Sequence, residues 1–254
     1  MFKQELAYLF LAIEYYTRLS KPIFLTENID GTNRAIRFYP IVGGIIGLLS
    51  AIFAYLIFIF LNSGPLFILG ALLTSIIITG AMHEKGFARF CDGMGEGKNK
   101  DTILNIMNDI RINTYGLLGL LFLILWKFFA LSAVPFTELF TIIFVGQIVS
   151  RSCAGLLTAE MEHINSEERK PLFTSVAGED FSSRFYILLS AGVLALVGSH
   201  GIDFLHPLIA LILFYLLFKN YIQKKLDGYT DDCVGACQQL AELVFYISCI
   251  STFK

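Results

Sequence analysis

Residues 80–116 read GAMHEKGFARFCDGMGEGKNKDTILNIMNDIRINTYG. This polar stretch separates two apolar runs, at about 65–82 and 116–134. A helix that crosses a bilayer needs about 20 predominantly apolar residues. Further runs of that kind occur at about 38–62, 138–158, 185–202, 204–219 and 234–253. The pattern predicts an all-α, polytopic membrane helix bundle with about seven spans, forming one domain over residues 1–254. Charges, glycines and a histidine packed against a membrane boundary are costly unless hydrated or paired. The 80–116 stretch is therefore the first candidate for a functional site.

Composition points the same way. Of 254 residues, 56% are hydrophobic, 24 are Phe and only 16% are charged. The mean hydropathy of +0.67 lies far above that of soluble domains. A net charge of −2 predicts no nucleic-acid partner. Sixteen of the 19 Lys and Arg residues precede the first span or lie between spans two and three, four and five, and six and seven. The opposite connectors, 62–65, 134–137 and 199–204, hold none. By the positive-inside rule the basic side, with every long polar loop, faces the cytoplasm. Lys127 lies inside the third span and reads either as a snorkelling side chain or as one paired within the bundle. Arg151 lies inside the fourth, and a structural ion pair and a substrate-phosphate contact are equal readings of it.

Residues 1–22, MFKQELAYLFLAIEYYTRLSKP, carry an apolar periodicity broken by Glu5 and Glu14. They read as an amphipathic N-terminal helix ending near Ser20 rather than as a cleaved signal peptide. Gly43, Gly44 and Gly47 give a small-xxx-small face for close helix packing. Cys91, Cys153, Cys233, Cys237 and Cys249 are odd in number and form no CxxC pair, so they read as packing thiols.

Within the polar stretch, Lys85, Arg89, Asp92 and Glu96 are spaced four, three and four apart, which puts them on one face of a helix. His83 and Glu84 lie beside that face, and Gly93, Gly95 and Gly97 let the backbone turn with amides open to an anion. Asp109 and Arg111 follow, two residues apart. Mixed acids and bases of this kind suit a diphosphate substrate. Cations hold the phosphates, and carboxylates bind Mg2+ to neutralise charge on the leaving group. The competing reading is a solvated loop with surface ion pairs. Farther on, the run 227–239 reads DGYTDDCVGACQQ. Asp231 and Asp232 there read first as helix-capping acids, and second as metal or substrate-hydroxyl ligands.

The blocks YYTRLSKP, RFYPIVGGIIG, TGAMHEKGFARFCDGMGEG, ILNIMNDIRINTYG and GYTDDCVGACQQLAE follow one another over nearly the whole chain. In that order and spacing the chain resembles the cobalamin synthase family, also called adenosylcobinamide-GDP ribazoletransferase. The resemblance implies a multi-pass enzyme of the bacterial cytoplasmic (inner) membrane with its active face in the cytoplasm. It implies attack by a ribose hydroxyl of α-ribazole, or its 5'-phosphate, on adenosylcobinamide-GDP to give adenosylcobalamin (or its phosphate) and GMP, with Mg2+ as cofactor. With the residue-level reading beside it, the candidate catalytic residues are His83, Asp92 and Asp109. Lys85, Arg89, Arg111 and Arg151 would contact substrate phosphate, and Glu84, Asp92, Asp109 and Asp232 would hold the metal. Homo-oligomerisation stays open.

The chain departs from the family pattern H-x-D-G-x-A-D-x-x-D-G, with Lys85 and Arg89 at its first two acids. That exchange changes the local charge by about four units and works against a divalent site on that face. The family's D-S-R-x-G-x-x-G appears as Asp109, Ile110, Arg111 and Asn113, and its T-G-D as Thr230, Asp231 and Asp232. Either the chain is an inactivated relative, or Lys85 and Arg89 bind the diphosphate directly. Two further readings stand beside these. Residues 85–89, KGFAR, partly echo the D-G-x-x-A-R of CDP-alcohol phosphotransferases, and a catalytically silent scaffold or corrinoid-binding subunit would keep the same membrane frame.

Overall fold

The computed structural model describes residues 2–19, 32–164 and 205–253, together with 184, 187–189, 191 and 192. The helices in chain order are α1 Phe2–Tyr16, α2 Tyr39–Leu61, α3 Gly64–Thr79, α4 Met82–Glu96, α5 Lys100–Asn108, α6 Thr114–Ser132, α7 Phe136–Glu160, α8 Leu205–Leu226 and α9 Asp231–Cys249. Short 3-10 turns cover Thr32–Phe38 and Ile250–Phe253. Among the described residues, five helical segments are long and apolar enough to cross a membrane. The pair α3 and α4, bent by 90°, makes up to a sixth. Six of the apolar runs expected from sequence are thus helices close to their expected bounds, while the run at about 185–202 falls largely outside the described residues.

α7 and α9 form the buried centre, and the other helices pack around them. The outer faces of α2, α6 and α8 expose Phe53, Phe60, Leu117, Phe129, Ile212 and Leu217, each more than half accessible. Such a surface would drive association in water but matches lipid tails. The small-residue face of α2 packs as its spacing predicts. A Cβ added to Gly43 would stand 2.4 Å from the backbone oxygen of Gln147, and one on Gly47 3.0 Å from Phe144. Gly43→Ala therefore forces α2 away from α7. We expect a loss of about 1–3 kcal/mol, read as a lowered melting temperature of the detergent-solubilised protein.

α1 buries Tyr8, Ala12 and Tyr16 at a spacing of four, as an amphipathic helix should. It ends at Tyr16, short of Ser20. The Thr17 hydroxyl donates to the Ile13 carbonyl at 2.6 Å and accepts from the Leu19 amide at 3.1 Å, which folds the chain out of the helix. The Arg18 amide donates to Ile78 O at 2.7 Å and ties the end of α1 to the end of α3. Beyond Thr79, Gly80 (φ +65°) and Ala81 (φ +57°) are both left-handed. Glycine adopts this conformation freely, whereas Ala81 bears about 1–2 kcal/mol of strain. These two residues make the 90° bend that swings α4 across the end of the bundle.

Candidate active site

α4 and α9 cross at Gly86 and Gly235. A Cβ on Gly86 would stand 3.3 Å from Asp232 Cα, and one on Gly235 2.9 Å from His83 O. Only glycine lets the two first turns come this close. Both N-termini, with their positive dipole ends, therefore meet at one place. A cavity of about 250 Å³ opens there. α4 supplies His83, Lys85 and Arg89, α9 supplies Asp231 and Asp232, and Tyr15, Tyr16 and Tyr229 form part of the wall.

Arg89 is 5% exposed. Its Nη1 lies 4.0 Å from Asp232 Oδ1, and its buried Nε has no hydrogen-bond partner. Lys85 is exposed at the mouth. His83 is buried, with Nε2 3.2 Å from the Tyr39 hydroxyl, and the Tyr39 ring stacks on Tyr16 at 3.9 Å. Burial, reinforced by the Asp231 carboxylate, pushes the Tyr15 and Tyr229 phenols above their usual range. Burial does the same to Tyr16, with Tyr39 next in effect. The aromatic wall is thus neutral and offers O–H donors at any physiological pH.

The structure brings together His83, Lys85, Arg89 and Asp232 from the sequence-predicted set and disperses the others. Asp92 points at α6, where Oδ2 accepts the Asn113 amide at 2.8 Å and Oδ1 the Gly116 amide at 2.7 Å. Glu84 turns into the bundle, and its Oε1 accepts from Gln239 at 2.8 Å. Asp109 and Arg111 are exposed on the α5–α6 connector, with the Arg111 amide donating to Asp109 Oδ1. Arg151 is 1% exposed inside the bundle, where Nη1 donates to both the Gln147 carbonyl and its side-chain oxygen. Lys127 pairs within the bundle, 3.2 Å from Glu242.

These positions bear on magnesium. The ion needs near-octahedral oxygens, commonly one or two carboxylates with water and phosphate. Asp92 has each of its oxygens committed to an α6 amide, Glu84 faces Gln239, Asp109 lies in solvent and Asp232 has Arg89 beside it. Among the described residues no three His, Cys, Asp or Glu side chains gather as a metal-holding group. The four expected ligands thus do not gather into one metal-holding group.

A second cavity, of about 360 Å³, lies against the first and shares Asp231 and Asp232 with it. Its walls are α5, the segment after α7 and the start of α9. His163, which was not singled out from sequence, lines it with a side chain 7% exposed and Nε2 3.4 Å from Asp231 Oδ1. Backbone pairing sets its place: Ile164 N donates to Tyr229 O at 2.8 Å, and Tyr229 N to Glu162 O at 3.0 Å. The one sequence signal was a histidine just past the end of a span, and by itself that distinguishes nothing. The three wall tyrosines are equally silent, because core packing accounts for such residues on its own, whereas Asp231 reads from sequence first as a cap and only second as a ligand.

The chain matches the family described as cobalamin-5-phosphate synthase over residues 8–250. A relative from Shewanella amazonensis, named adenosylcobinamide-GDP ribazoletransferase, is 32% identical over 97% of this chain and 95% of its own length. Relatives of the same name from Vibrio parahaemolyticus and Vibrio cholerae are 35% and 30% identical over 96% of the chain, covering 92% and 94% of theirs. No solved structure matches. Shared sequence across nearly the full length, on a helical membrane frame whose basic and acidic groups converge at one end, decides the assignment: the chain belongs to the cobalamin-5-phosphate synthase family.

Proposed function

We propose that this chain is a membrane-embedded transferase that joins adenosylcobinamide-GDP to the ribose hydroxyl of ribazole, or of its 5'-phosphate, and releases GMP. The hydroxyl oxygen attacks the corrinoid-side phosphorus, the bond to the second phosphate breaks, and the hydroxyl proton leaves to a base. The names and full-length similarity of the relatives support the substrates. The sixteen basic residues of one face support a site opening to the cytoplasm across a bacterial inner membrane.

One observation carries the reading at the level of residues. The buried Arg89 guanidinium, its Nε without a hydrogen-bond partner, stands where the α4 and α9 N-termini meet, with Lys85 at the mouth. A diphosphate placed there meets Lys85, Arg89 and two helix dipole ends, which compensate the charge that builds on the leaving phosphate against the Asp231 and Asp232 carboxylates of the same wall. The four expected carboxylates are dispersed, so Lys85 and Arg89 carry a direct share of the charge compensation.

The test is transfer from adenosylcobinamide-GDP to α-ribazole by the purified chain. Arg89→Gln removes a charged hydrogen bond worth about 1.5–3 kcal/mol, so kcat/KM is expected to fall about 10- to 100-fold. If the unaltered chain is inert while Lys85→Asp/Arg89→Asp turns over, the cations are instead the mark of an inactivated relative.

A further inference from the structure

We propose that the cavity of about 360 Å³ beside the cation-lined one is the acceptor subsite, holding a nucleoside whose ribose hydroxyl faces His163. The inference rests on the transfer reading above and adds to it where the second substrate sits and which group takes its proton.

The cavity is a built site. α5 is capped by the reciprocal hydrogen bonds of Asn99 and Thr102, and it buries Ile103 and Met107 beneath α4. Asp101, Leu104, Asn105 and Asn108 turn to the cavity, with Met107 at its edge. That face offers amide and carboxylate groups beside an apolar patch, which suits the edge and ring of a base together with ribose hydroxyls. Among the described residues its lining has no Lys or Arg. These groups address the base and ribose of the nucleoside. The cations stand in the neighbouring cavity, across the shared Asp231 and Asp232. Donor and acceptor thus occupy adjoining spaces, with Lys85 and Arg89 on the donor side.

His163 supplies the observation that points to a ligand. Its ring is more than nine-tenths buried, lines the cavity and stands edge-on to Tyr229 at 5.1 Å, and neither ring nitrogen has a hydrogen-bond partner. Nε2 is 3.4 Å from Asp231 Oδ1. A carboxylate at that distance favours the tautomer with the proton on Nε2, which leaves Nδ1 to accept. In the transfer step Nδ1 takes the hydroxyl proton as oxygen bonds to phosphorus. The bridging P–O bond breaks, GMP departs with its electron pair, and the imidazolium beside Asp231 later returns its proton to water.

Two variants of the full-length, detergent-solubilised protein test this. Asn105→Phe, at an exposed α5 position, fills the cavity. It is expected to weaken α-ribazole binding at least 10-fold by calorimetry while leaving GDP binding unchanged. His163→Ala is expected to lower kcat about 100-fold with little change in the KM for α-ribazole, and added imidazole should restore part of the rate. Unchanged α-ribazole affinity in Asn105→Phe, or weakened GDP affinity instead, overturns the subsite. Unchanged kcat in His163→Ala overturns the proton role. If the unaltered chain shows no transfer at all, the enzymatic reading falls, and the α-ribazole titration of Asn105→Phe still decides the subsite.

Discussion

Lys127→Met is expected to destabilise the bundle by about 3–5 kcal/mol, more than any single truncation at its lipid-facing surface. Lys127 and Glu242 are 6% and 3% exposed and 3.2 Å apart, between α6 and α9. Lys127 also donates to Gln239 Oε1 at 2.5 Å, and Gln239 donates in turn to Glu84. Losing the ammonium strands a carboxylate without its counter-charge in a region that water does not reach, and it leaves an amide oxygen without its donor. The pair itself is another matter. Replacing both partners with apolar groups, as in Lys127→Met/Glu242→Leu, is expected to recover most of the loss, since a buried ion pair roughly offsets its own desolvation. Thermal melting of the two single variants and the double variant in one detergent checks this. Full additivity of the single losses would contradict it.

The second large effect is expected at Asp92, which sits on the α4 face together with Lys85 and Arg89 yet serves α6. Asp92→Ala deprives the Asn113 and Gly116 amides of their acceptor at the start of α6. The Gly116 bond is buried, and each orphaned amide costs about 1–3 kcal/mol, with a further loss from the carboxylate at the helix dipole. We expect a total loss of about 2–5 kcal/mol, with faster amide hydrogen exchange over residues 113–117 in the altered chain. Asp92→Asn keeps one acceptor and should lie between. Unchanged stability with abolished transfer would reverse the assignment and make Asp92 a substrate or metal ligand.

Residues 43 and 47 and the apolar runs were readable in advance because each of those features is local. A run of sufficient length declares a span, and glycines four apart declare a close-packed face. Asp92 shows where such reading stops. Helical periodicity places it with Lys85 and Arg89, but it lies seven residues from Lys85, about 10 Å along the axis. At that height the neighbour is the start of α6. Periodicity gives the direction of a side chain and says nothing of which element stands opposite. His163 is harder still. Its position follows from a two-residue backbone pairing with Tyr229, 66 positions away, in segments with no repeat to read. Lys127 lay between these cases: its depth was evident from the run around it, whereas its partner on α9 was not.

The bend at Gly80 and Ala81 leaves α3 with 16 residues, about 24 Å of helix, against roughly 30 Å of hydrocarbon in an average bilayer. Such a mismatch is relieved by thinning of the lipid around the short element, at a fraction of a kcal/mol per Å. The leaflet should therefore dip beside α3 and α4, so that headgroups and water come down to the mouth of the cation-lined cavity. A bulky amphiphilic substrate can then approach sideways along that depression. The acyl-chain length of the host membrane becomes one of the factors that set how easily the cavity is reached.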